Sequence, residues 1–435
     1  MLKRVLELKE DLLSGRYEGA FRALYTTDGE GARRQALRYA AAVDSFCALF
    51  GEDREVVLFS APGRTEVGGN HTDHQHGKVL AAGVNLDVIA VVSPNSKDSI
   101  TIRSEGFAPD FVKTADLAVH PEECNKSVSL VRGTCAGFRD RGYRYGGFDA
   151  YTISNVLKGS GLSSSAAFEV LVGAILNHLY NDGKIDPVTI AQNAQYAENE
   201  YFGKPCGLMD QTACSVGGFV AIDFEDTAHP AVEKVDFSFA KCGHDLVIVD
   251  TKGNHSDLTG DYAAIGEEMR SVARYFGKDY LRAVDEDAFY EKIGELRGKV
   301  SDRALLRAIH FFDDNRLAGE EAEALRQNDF ALFKEQILRS GRSSFMHLQN
   351  AYSVQDAGSQ GIPLALAVTE KLLEGRGAWR VHGGGFAGTM QAFVPTELTP
   401  AYQKAMEAVF GPGSCHVLAI RPVGAVMVTP EFTGN

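Results

Sequence analysis

The chain has 435 residues, of which 44% are hydrophobic and 23% are charged. This composition is typical of a folded globular protein and excludes a disordered chain, a collagen-like repeat and a disulfide-stabilised miniprotein. At roughly 100–200 residues per domain, the length predicts two or three domains. Acidic residues outnumber basic ones by 58 to 44, a net charge of −14. A surface this negative repels phosphate backbones and anionic lipid, so we expect neither a nucleic-acid nor a membrane partner.

The cysteines and the first residues predict a cytoplasmic protein. The seven cysteines are far apart and form no C-x-x-C pair, which favours a reduced chain. The first thirteen residues alternate charge and leucine and lack the apolar stretch of a signal peptide. No run elsewhere reaches the ~18 apolar residues that a membrane span needs.

In chain order, residues 1–50 are predicted to be helical. Two further helices are predicted, at 165–180, which is apolar nearly all round, and at 187–202, which Asp186-Pro187 opens and Gly203 ends. A charged helical region follows from about 251 to 375. The predicted strands are 56–60, 84–92, 148–156, 218–224, 246–250, 391–395 and 416–428. Because helices and strands are interleaved without a strict βαβ rhythm, the pattern favours an α+β fold over a doubly wound sheet. We expect a domain boundary near 245–255.

The first chemically informative stretch is 158–167, Lys-Gly-Ser-Gly-Leu-Ser-Ser-Ser-Ala-Ala, between a predicted strand and a predicted helix. Glycines allow close approach of a ligand, and a helix start offers unpaired N–H groups, so this pattern predicts a phosphate-binding loop. It is not a Walker A loop, because every Gly-Lys pair in the chain lacks the following Ser or Thr, and Ser164 stands where the third glycine of G-x-G-x-x-G belongs. The alternative is a polar turn with an N-cap serine.

The second stretch, 61–77, packs many hydrogen-bonding side chains between glycines, which suits a polyhydroxyl ligand or an anion. Two alternatives are a transition-metal site, with His71, Asp73, His74 and His76 as ligands, and a surface loop with solvated histidines. The third stretch, 382–388, contains three consecutive glycines, and its alternative is a tight hairpin.

In this order and at these separations, the three stretches resemble the three motifs of the GHMP small-molecule kinases. Ala61-Pro62-Gly63-Arg64 followed by His71-Thr72-Asp73 resembles the galactokinase members, whose usual form is A-P-G-R-V-N-L-I-G-E-H-T-D. Cys206 to Gln211 matches their C-G-x-M-D-Q. The resemblance covers the chain from about residue 45 to its end.

The resemblance implies a two-domain α+β fold. Residues 1–250 would form a ribosomal-protein-S5-like domain, with 1–45 as a helical extension, and residues 251–435 a ferredoxin-like domain. ATP, Mg²⁺ and sugar would bind in the cleft between them. The expected phosphate-binding residues are Gly159, Ser160, Gly161, Leu162, Ser163, Ser164 and Ser165.

By the same resemblance, Ser165 and Glu198 are the expected magnesium ligands. Glu198 and Glu200 flank the apolar stripe of the same predicted helix, and the motif makes Glu200 the solvated one. A hydroxyl and a carboxylate suit magnesium, which takes its remaining oxygens from water and phosphates.

The resemblance also implies that Asp210 and Arg64 are catalytic. Arg64 would neutralise charge on the transferring group, and Asp210 would position the anomeric hydroxyl and take its proton late. The expected sugar-binding residues are Asn70, His71, Asp73, Gly207 and Tyr262, and Gly383, Gly384 and Gly385 would form the third motif. For Tyr262 the alternative is a core tyrosine.

Three positions depart from the galactokinase pattern. Asn70 replaces the glutamate that contacts the hydroxymethyl end of galactose, and Thr65-Glu66 replaces Val-Asn. The adenine-side tryptophan expected before Val131-Arg132-Gly133 is missing. Asparagine both donates and accepts, so it would also tolerate a carboxylate or an absent group at that end of the sugar.

The sequence therefore predicts an ATP-dependent sugar 1-kinase that converts galactose to galactose 1-phosphate, as a monomer or weak homo-oligomer. The alternatives are a 1-kinase for arabinose, galacturonate or N-acetylgalactosamine, and a non-catalytic sensor of galactose and ATP.

Overall fold

The computed structural model describes residues 2–157, 161–204, 206–253 and 258–434. Its α-helices are α1 (Val5–Leu13), α2 (Glu18–Tyr25), α3 (Gly29–Phe50), α4 (Ser127–Asp140), α5 (Ser164–Tyr180), α6 (Pro187–Tyr196), α7 (Met209–Val216), α8 (Thr259–Tyr275), α9 (Glu286–Leu296), α10 (Asp302–Arg326), α11 (Phe330–Ser343), α12 (Gly361–Leu373) and α13 (Thr399–Phe410). Its strands are β1 (Lys3–Arg4), β2 (Glu55–Gly68), β3 (Lys78–Pro94), β4 (Ser99–Ser104), β5 (Asp110–Lys113), β6 (Phe148–Ser154), β7 (Phe219–Asp223), β8 (Ala231–Val235), β9 (His244–Asp250), β10 (Ala378–Val381), β11 (Thr389–Pro395), β12 (Cys415–Leu418) and β13 (Val426–Val428).

Side-chain caps explain where several helices begin. Asp28 accepts a hydrogen bond from the Gly31 N–H at the start of α3, and Asp186 accepts one from Thr189 at the start of α6. These bonds satisfy N–H groups that the first helical turn leaves unpaired. The predicted helix 187–202 is confirmed, since α6 continues through a π-helical turn at Ala197–Phe202 and ends at Gly203, whose φ is +84°.

A large mixed sheet is built around the long β2–β3 hairpin. Its described strands follow the order β1-β2-β3-β6-β4-β5, with β13 also pairing with β2, and β7 pairing with β3 and β8. The predicted strand 56–60 is too short, because β2 continues through Pro62 to Gly68. A register shift between Pro62 and Arg64 accommodates the proline, which has no N–H to donate to the ladder.

A second sheet has the order β10-β11-β9-β12, with every pair antiparallel. The partners of β9 all lie beyond residue 377, whereas β13 returns to the first sheet. The division of the chain at residues 250/251 stays a prediction. Antiparallel pairing dominates both described sheets, which confirms the predicted α+β class and excludes a doubly wound parallel sheet.

Helix α5 crosses the first sheet and is buried on nearly every face. Ala166, Val170, Leu171, Ile175 and Leu176 are at most 1% exposed, as the apolar composition of 165–180 predicts. Because this helix is fixed by the core, its N-terminal end is held against the β2 segment that carries the second chemically informative stretch.

The N-terminal helices are joined to the first sheet through one buried carboxylate, that of Asp87. It accepts hydrogen bonds from Tyr25 at 2.6 Å, Arg38 at 2.6 Å and Arg421 at 3.3 Å, and also from Ser60. Burial acts to raise the pKa of Asp87, but Arg38 and Arg421 outweigh it and lower the pKa below its ordinary value. Asp87 is therefore a buried anion whose partners come from both ends of the chain.

We expect Asp87→Asn to destabilise the fold by about 3–5 kcal/mol, because it leaves the buried Arg421 and the partly buried Arg38 without their anion. The measurement is urea denaturation followed by circular dichroism. Asp44→Asn is the matched control, since Asp44 pairs with Lys9 at the surface and should leave stability nearly unchanged. Equal stability of the two variants would contradict this prediction.

Candidate active site

Arg64 connects two of the three chemically informative stretches. Its guanidinium donates to Asp210 Oδ1 through Nε at 2.8 Å and Nη2 at 2.7 Å, and to the carbonyl of Gly161. Its backbone N–H donates to the Leu162 carbonyl at 3.0 Å. Burial acts to lower the pKa of Arg64, but Asp210 and Glu66 outweigh it and raise the pKa. The arginine is thus a buried, permanently charged group at the mouth of the 161–165 loop.

Gly63 is what lets these two backbones meet. A Cβ atom at this position would lie 2.7 Å from the Leu162 carbonyl oxygen and 3.0 Å from Val156. A larger residue would push β2 away from the loop, so the close approach requires glycine here.

In the 161–165 loop, the Ser163 side chain bonds to Asp210 and does not cap the helix α5 that follows it. Ser163 precedes α5 with a φ of +54° and forms no side-chain cap; its hydroxyl donates to Asp210 Oδ2 instead. The predicted N-cap alternative is therefore not what Ser163 does. Ser164 and Ser165 form the first turn of α5, and Leu162 is buried. Gly159 and Ser160, which were also expected to bind phosphate, lie outside the described residues.

Asp210 is the second residue of α7, where the helix dipole favours a carboxylate. Its side chain is 33% exposed, so it stays open to a ligand although both oxygens contact protein donors. The expected convergence of Asp210, Arg64 and the glycine–serine turn is present, since all three are in direct contact.

Two carboxylates and an amide meet behind the start of α5. Gln211 Nε2 lies 2.7 Å from Glu198 Oε2 and 3.3 Å from Glu169 Oε2. Lys204 donates to Glu198 Oε1 at 3.1 Å. Burial and the neighbouring Glu198 raise the pKa of Glu169 well above its ordinary value. Glu198 is 2% exposed whereas Glu200 is exposed. Glu198 therefore lies inside and Glu200 in solvent, as the motif implies.

The side-chain oxygens near the start of α5 are ligands that suit a magnesium ion better than a transition metal. Ser165 and Glu198 offer a hydroxyl and a carboxylate, and Glu169 Oε1 has no hydrogen-bond partner among the described residues. No group of three or more His, Cys, Asp or Glu side chains in the described part of the chain is arranged to hold a metal. His71 and His76 have separate partners, since His76 stacks on Tyr280 at 3.8 Å between ring centroids.

His71, Asp73 and Tyr262 lie around the third motif and Gly207. His71 Nε2 donates to the Gly384 carbonyl at 3.0 Å, and burial, with His74 nearby, lowers the pKa of His71 to about 4, so the ring is neutral at pH 7. A Cβ at Gly207 would lie 2.8 Å from Asp73 Oδ2, which places that carboxylate oxygen directly against the Gly207 backbone.

Tyr262 packs both on the third motif and against the apolar cluster of α8–α10, so the core alternative stays open. Its hydroxyl donates to the Gly385 carbonyl at 3.0 Å, and its ring meets Phe386 edge to face. Gly385 has a φ of +81° and lies against the Asn350 carbonyl, so a side chain there would overlap that oxygen. Residues 383–385 are therefore a turn fitted between Tyr262, Asn350 and the second stretch, not only a tight connection between strands.

Asn70 is fully buried, and its hydrogen-bonding groups are all used by protein. Nδ2 donates to Glu66 Oε1 and to the Gly383 carbonyl, both at 2.8 Å. Oδ1 accepts from Asn350 at 2.8 Å and from Ser344 at 3.2 Å. A sugar contact by Asn70, which the sequence predicts, would therefore require one of these bonds to break.

Sequence reasoning missed the polar face of α10 that supports the second stretch. Asp314 Oδ2 accepts from the Asn70 N–H at 2.6 Å, and His310 Nε2 donates to the Asn70 carbonyl at 2.9 Å. Glu321 is also fully buried on this face. The signal was available, because residues 310, 314 and 321 recur at helical spacing and polar residues so spaced mark one face of a helix.

Glu66, which the sequence marks only as a departure from the galactokinase pattern, is also part of the site. It lies next to Arg380, 3.0 Å from Nη2, and also accepts from Asn70. Burial outweighs the attraction of Arg380 and Arg64 and raises the pKa of Glu66 to about 7. This carboxylate links the second stretch to β10, the strand that precedes the third motif.

Comparison with known proteins agrees with this geometry. The family model described as the GHMP kinases N terminal domain matches residues 129–218, and the galactokinase galactose-binding signature matches residues 44–94. These two matches bear out the resemblance to the GHMP kinases that the sequence motifs indicate. Both models support a galactokinase-like sugar kinase, an enzyme that transfers a phosphoryl group from ATP.

Solved structures share the fold. Lactococcus lactis galactokinase complexed with galactose superposes with a TM-score of 0.75 at 22% identity, covering 90% of this chain and 99% of that one. Methanococcus jannaschii mevalonate kinase gives a TM-score of 0.60 at 11% identity, covering 84% and 98%. Streptococcus pneumoniae phosphomevalonate kinase gives 0.58 at 13% identity, covering 86% and 99%. These likenesses confirm the two-domain GHMP kinase fold.

In the part of the chain that the structure describes, no helix is both long and apolar enough to span a membrane.

We expect Glu66 to make stability depend on pH. Its pKa is about 7 in the folded protein against an ordinary value of 4.5, so its stabilising contribution is complete below pH 4.5 and is lost as the pH rises through 7. Relative to Glu66→Gln, the wild-type free energy of unfolding should fall by about 3 kcal/mol from pH 4.5 to pH 8. Urea denaturation across this range measures it. Parallel stability curves for the two proteins would contradict the prediction.

Proposed function

We propose that this chain phosphorylates galactose at its anomeric hydroxyl, with ATP as the donor and Mg²⁺ as the cation, and releases galactose 1-phosphate. The observation that carries the proposal is the contact of Asp210 with both Arg64 and Ser163. It joins the segment with the galactose-binding signature to the phosphate-binding loop at a partly exposed carboxylate. A solved galactokinase with galactose bound shares the fold and supports the choice of sugar.

The start of α5 is the proposed phosphate site. The first N–H groups of a helix lack intrahelical acceptors, and their dipole favours an anion, so the turn at Gly161 to Ser165 suits the ATP phosphates. The hydroxyls of Ser164 and Ser165 add donors beside these N–H groups. Ser165 and Glu198 would hold Mg²⁺, which when bound neutralises phosphate charge.

Arg64 and Asp210 would carry the transfer step. Phosphoryl transfer depends mainly on alignment and charge neutralisation. The Arg64 guanidinium is fixed by its bonds to Asp210 and the Gly161 carbonyl, so it can meet developing negative charge without moving. The Asp210 carboxylate would accept a hydrogen bond from the anomeric hydroxyl and take its proton late in the transfer.

The sugar would lie against Asp73, His71, Gly207 and Tyr262. The two carboxylate oxygens of Asp73 can accept from two adjacent hydroxyls. His71 is neutral and already donates through Nε2 to the Gly384 carbonyl. This hydrogen bond holds the 383–385 turn against the proposed sugar pocket.

The bonding of Asn70 favours a second candidate substrate, a pentose such as arabinose. Since both donors and the acceptor oxygen of Asn70 serve Glu66, Gly383, Asn350 and Ser344, the residue contributes nothing to a sixth-carbon group unless a protein bond breaks. A pentose, which has no sixth carbon, would therefore bind Asn70 no more weakly than a hexose does.

We expect Asp210→Asn to lower kcat by about 10²–10⁴-fold, because the amide neither accepts the proton nor pairs with Arg64 as an anion. Coupled ADP release with MgATP and galactose measures the rate. Nucleotide affinity, followed by calorimetry, should change little and serves as the control for folding. A variant that keeps more than about a tenth of wild-type kcat would contradict the assignment.

We also expect the enzyme to discriminate weakly at the sixth carbon. The values of kcat/KM for galactose and 6-deoxygalactose should agree within about threefold, because a neutral hydrogen bond of about 0.5–1.5 kcal/mol is absent there. Arabinose, galacturonate, N-acetylgalactosamine and glucose complete the panel. A loss of more than about tenfold on removing the sixth hydroxyl would show that a protein group does bond it. Activity on arabinose alone would show that arabinose, not galactose, is the substrate. If none of these sugars supports ATP turnover, the chain is instead a non-catalytic sensor.

A further inference from the structure

Glu169 is a buried carboxylate that the proposed reaction does not use. It is 0% exposed, as is Gln211, whose Nε2 lies between Glu169 Oε2 and Glu198 Oε2 at 3.3 and 2.7 Å. One amide donor therefore serves two carboxylates that belong to different helical segments.

Two oxygens in this cluster are left over. Glu169 Oε1 and Gln211 Oε1 are both buried and have no hydrogen-bond partner among the described residues. Buried polar atoms in folded proteins nearly always have a partner, so the cluster presents acceptors without a donor or cation to satisfy them. The remaining oxygen of Glu198 is held by Lys204.

The cluster lies beside the proposed cation site. Glu169 is four residues after Ser165 on α5, and side chains at this spacing share one face of a helix. Glu198 is the proposed carboxylate ligand itself. Carboxylate and amide oxygens are the donors that Mg²⁺ prefers. A proton on Glu169 is the competing explanation, since it would turn Oε1 into a donor without any cation.

We propose that Glu169 supplies a second carboxylate charge to the divalent-cation site formed by Ser165 and Glu198. This inference rests on the proposed function, because that function places the cation there. Glu169 is a positioning residue in this account: it strengthens cation binding and holds Gln211 and Glu198 in place, and it need not touch substrate.

The test measures cation affinity without turnover. Mn²⁺ replaces Mg²⁺, adenylyl imidodiphosphate replaces ATP, and free Mn²⁺ is followed by electron paramagnetic resonance. We expect Glu169→Gln, which keeps the shape and removes the charge, to weaken Mn²⁺ binding to the enzyme–nucleotide complex by about 10–100-fold. Asp149→Asn is the matched control, because Asp149 is also buried, at 3% exposure, and pairs with Arg54 at the start of β6. It should bind Mn²⁺ as the wild type does.

Each outcome decides one claim. Equal Mn²⁺ affinity of Glu169→Gln and wild type would overturn the inference and leave a protonated Glu169 as the explanation. Equal weakening by both variants would overturn it too, as a general effect of removing a buried carboxylate. Wild-type protein that binds no Mn²⁺ with the nucleotide would instead overturn the proposed function. If Glu169→Gln fails to fold, Glu169→Asp keeps the charge, and its Mn²⁺ affinity should stay within about threefold of wild type, whereas a tenfold loss would overturn the inference.

Discussion

The guanidinium of Arg64 is the contact on which the arrangement of the site depends. It is buried, so it needs anionic and carbonyl partners in fixed positions, and it finds them in Asp210 and Gly161. Those partners belong to α7 and to the loop before α5, which are more than 45 residues apart in the chain. A flexible cation would not hold them together, whereas a planar guanidinium bonds in fixed directions and sets their relative orientation.

A second set of buried polar contacts fixes the other side of the pocket. Residues of α10 hold both the N–H and the carbonyl of Asn70, and Arg380 holds Glu66. These bonds join the second chemically informative stretch to elements far later in the chain. Breaking one partner of such a network leaves a buried group unpaired, so the network resists movement and keeps the 383–385 turn against His71. The pocket is therefore preorganised by polar contacts as well as by the apolar core.

Much of this could be predicted from the sequence. The apolar composition of 165–180 fixes a buried helix, and Asp186-Pro187 with Gly203 gives the limits of the next one, because these signals are local. The three motifs indicate the family and which segments meet. The continuation of β2 beyond Pro62 could not be predicted, since it depends on a bulge that β3 accommodates. The bonding of Asn70 could not be predicted either, because its partners come from residues 274 and 280 positions away. Glu169 was missed because it lies within a run of apolar residues, where a single polar residue gives no pattern.

The most direct test of the account is a crystal structure of the enzyme with adenylyl imidodiphosphate, Mg²⁺ and galactose. We expect an anomeric oxygen within hydrogen-bond reach of Asp210 and about 3.5 Å from the terminal phosphorus, with the phosphates at the start of α5. A sugar bound away from Asp210, or a terminal phosphorus more than about 10 Å from the anomeric oxygen in the closed complex, would contradict it.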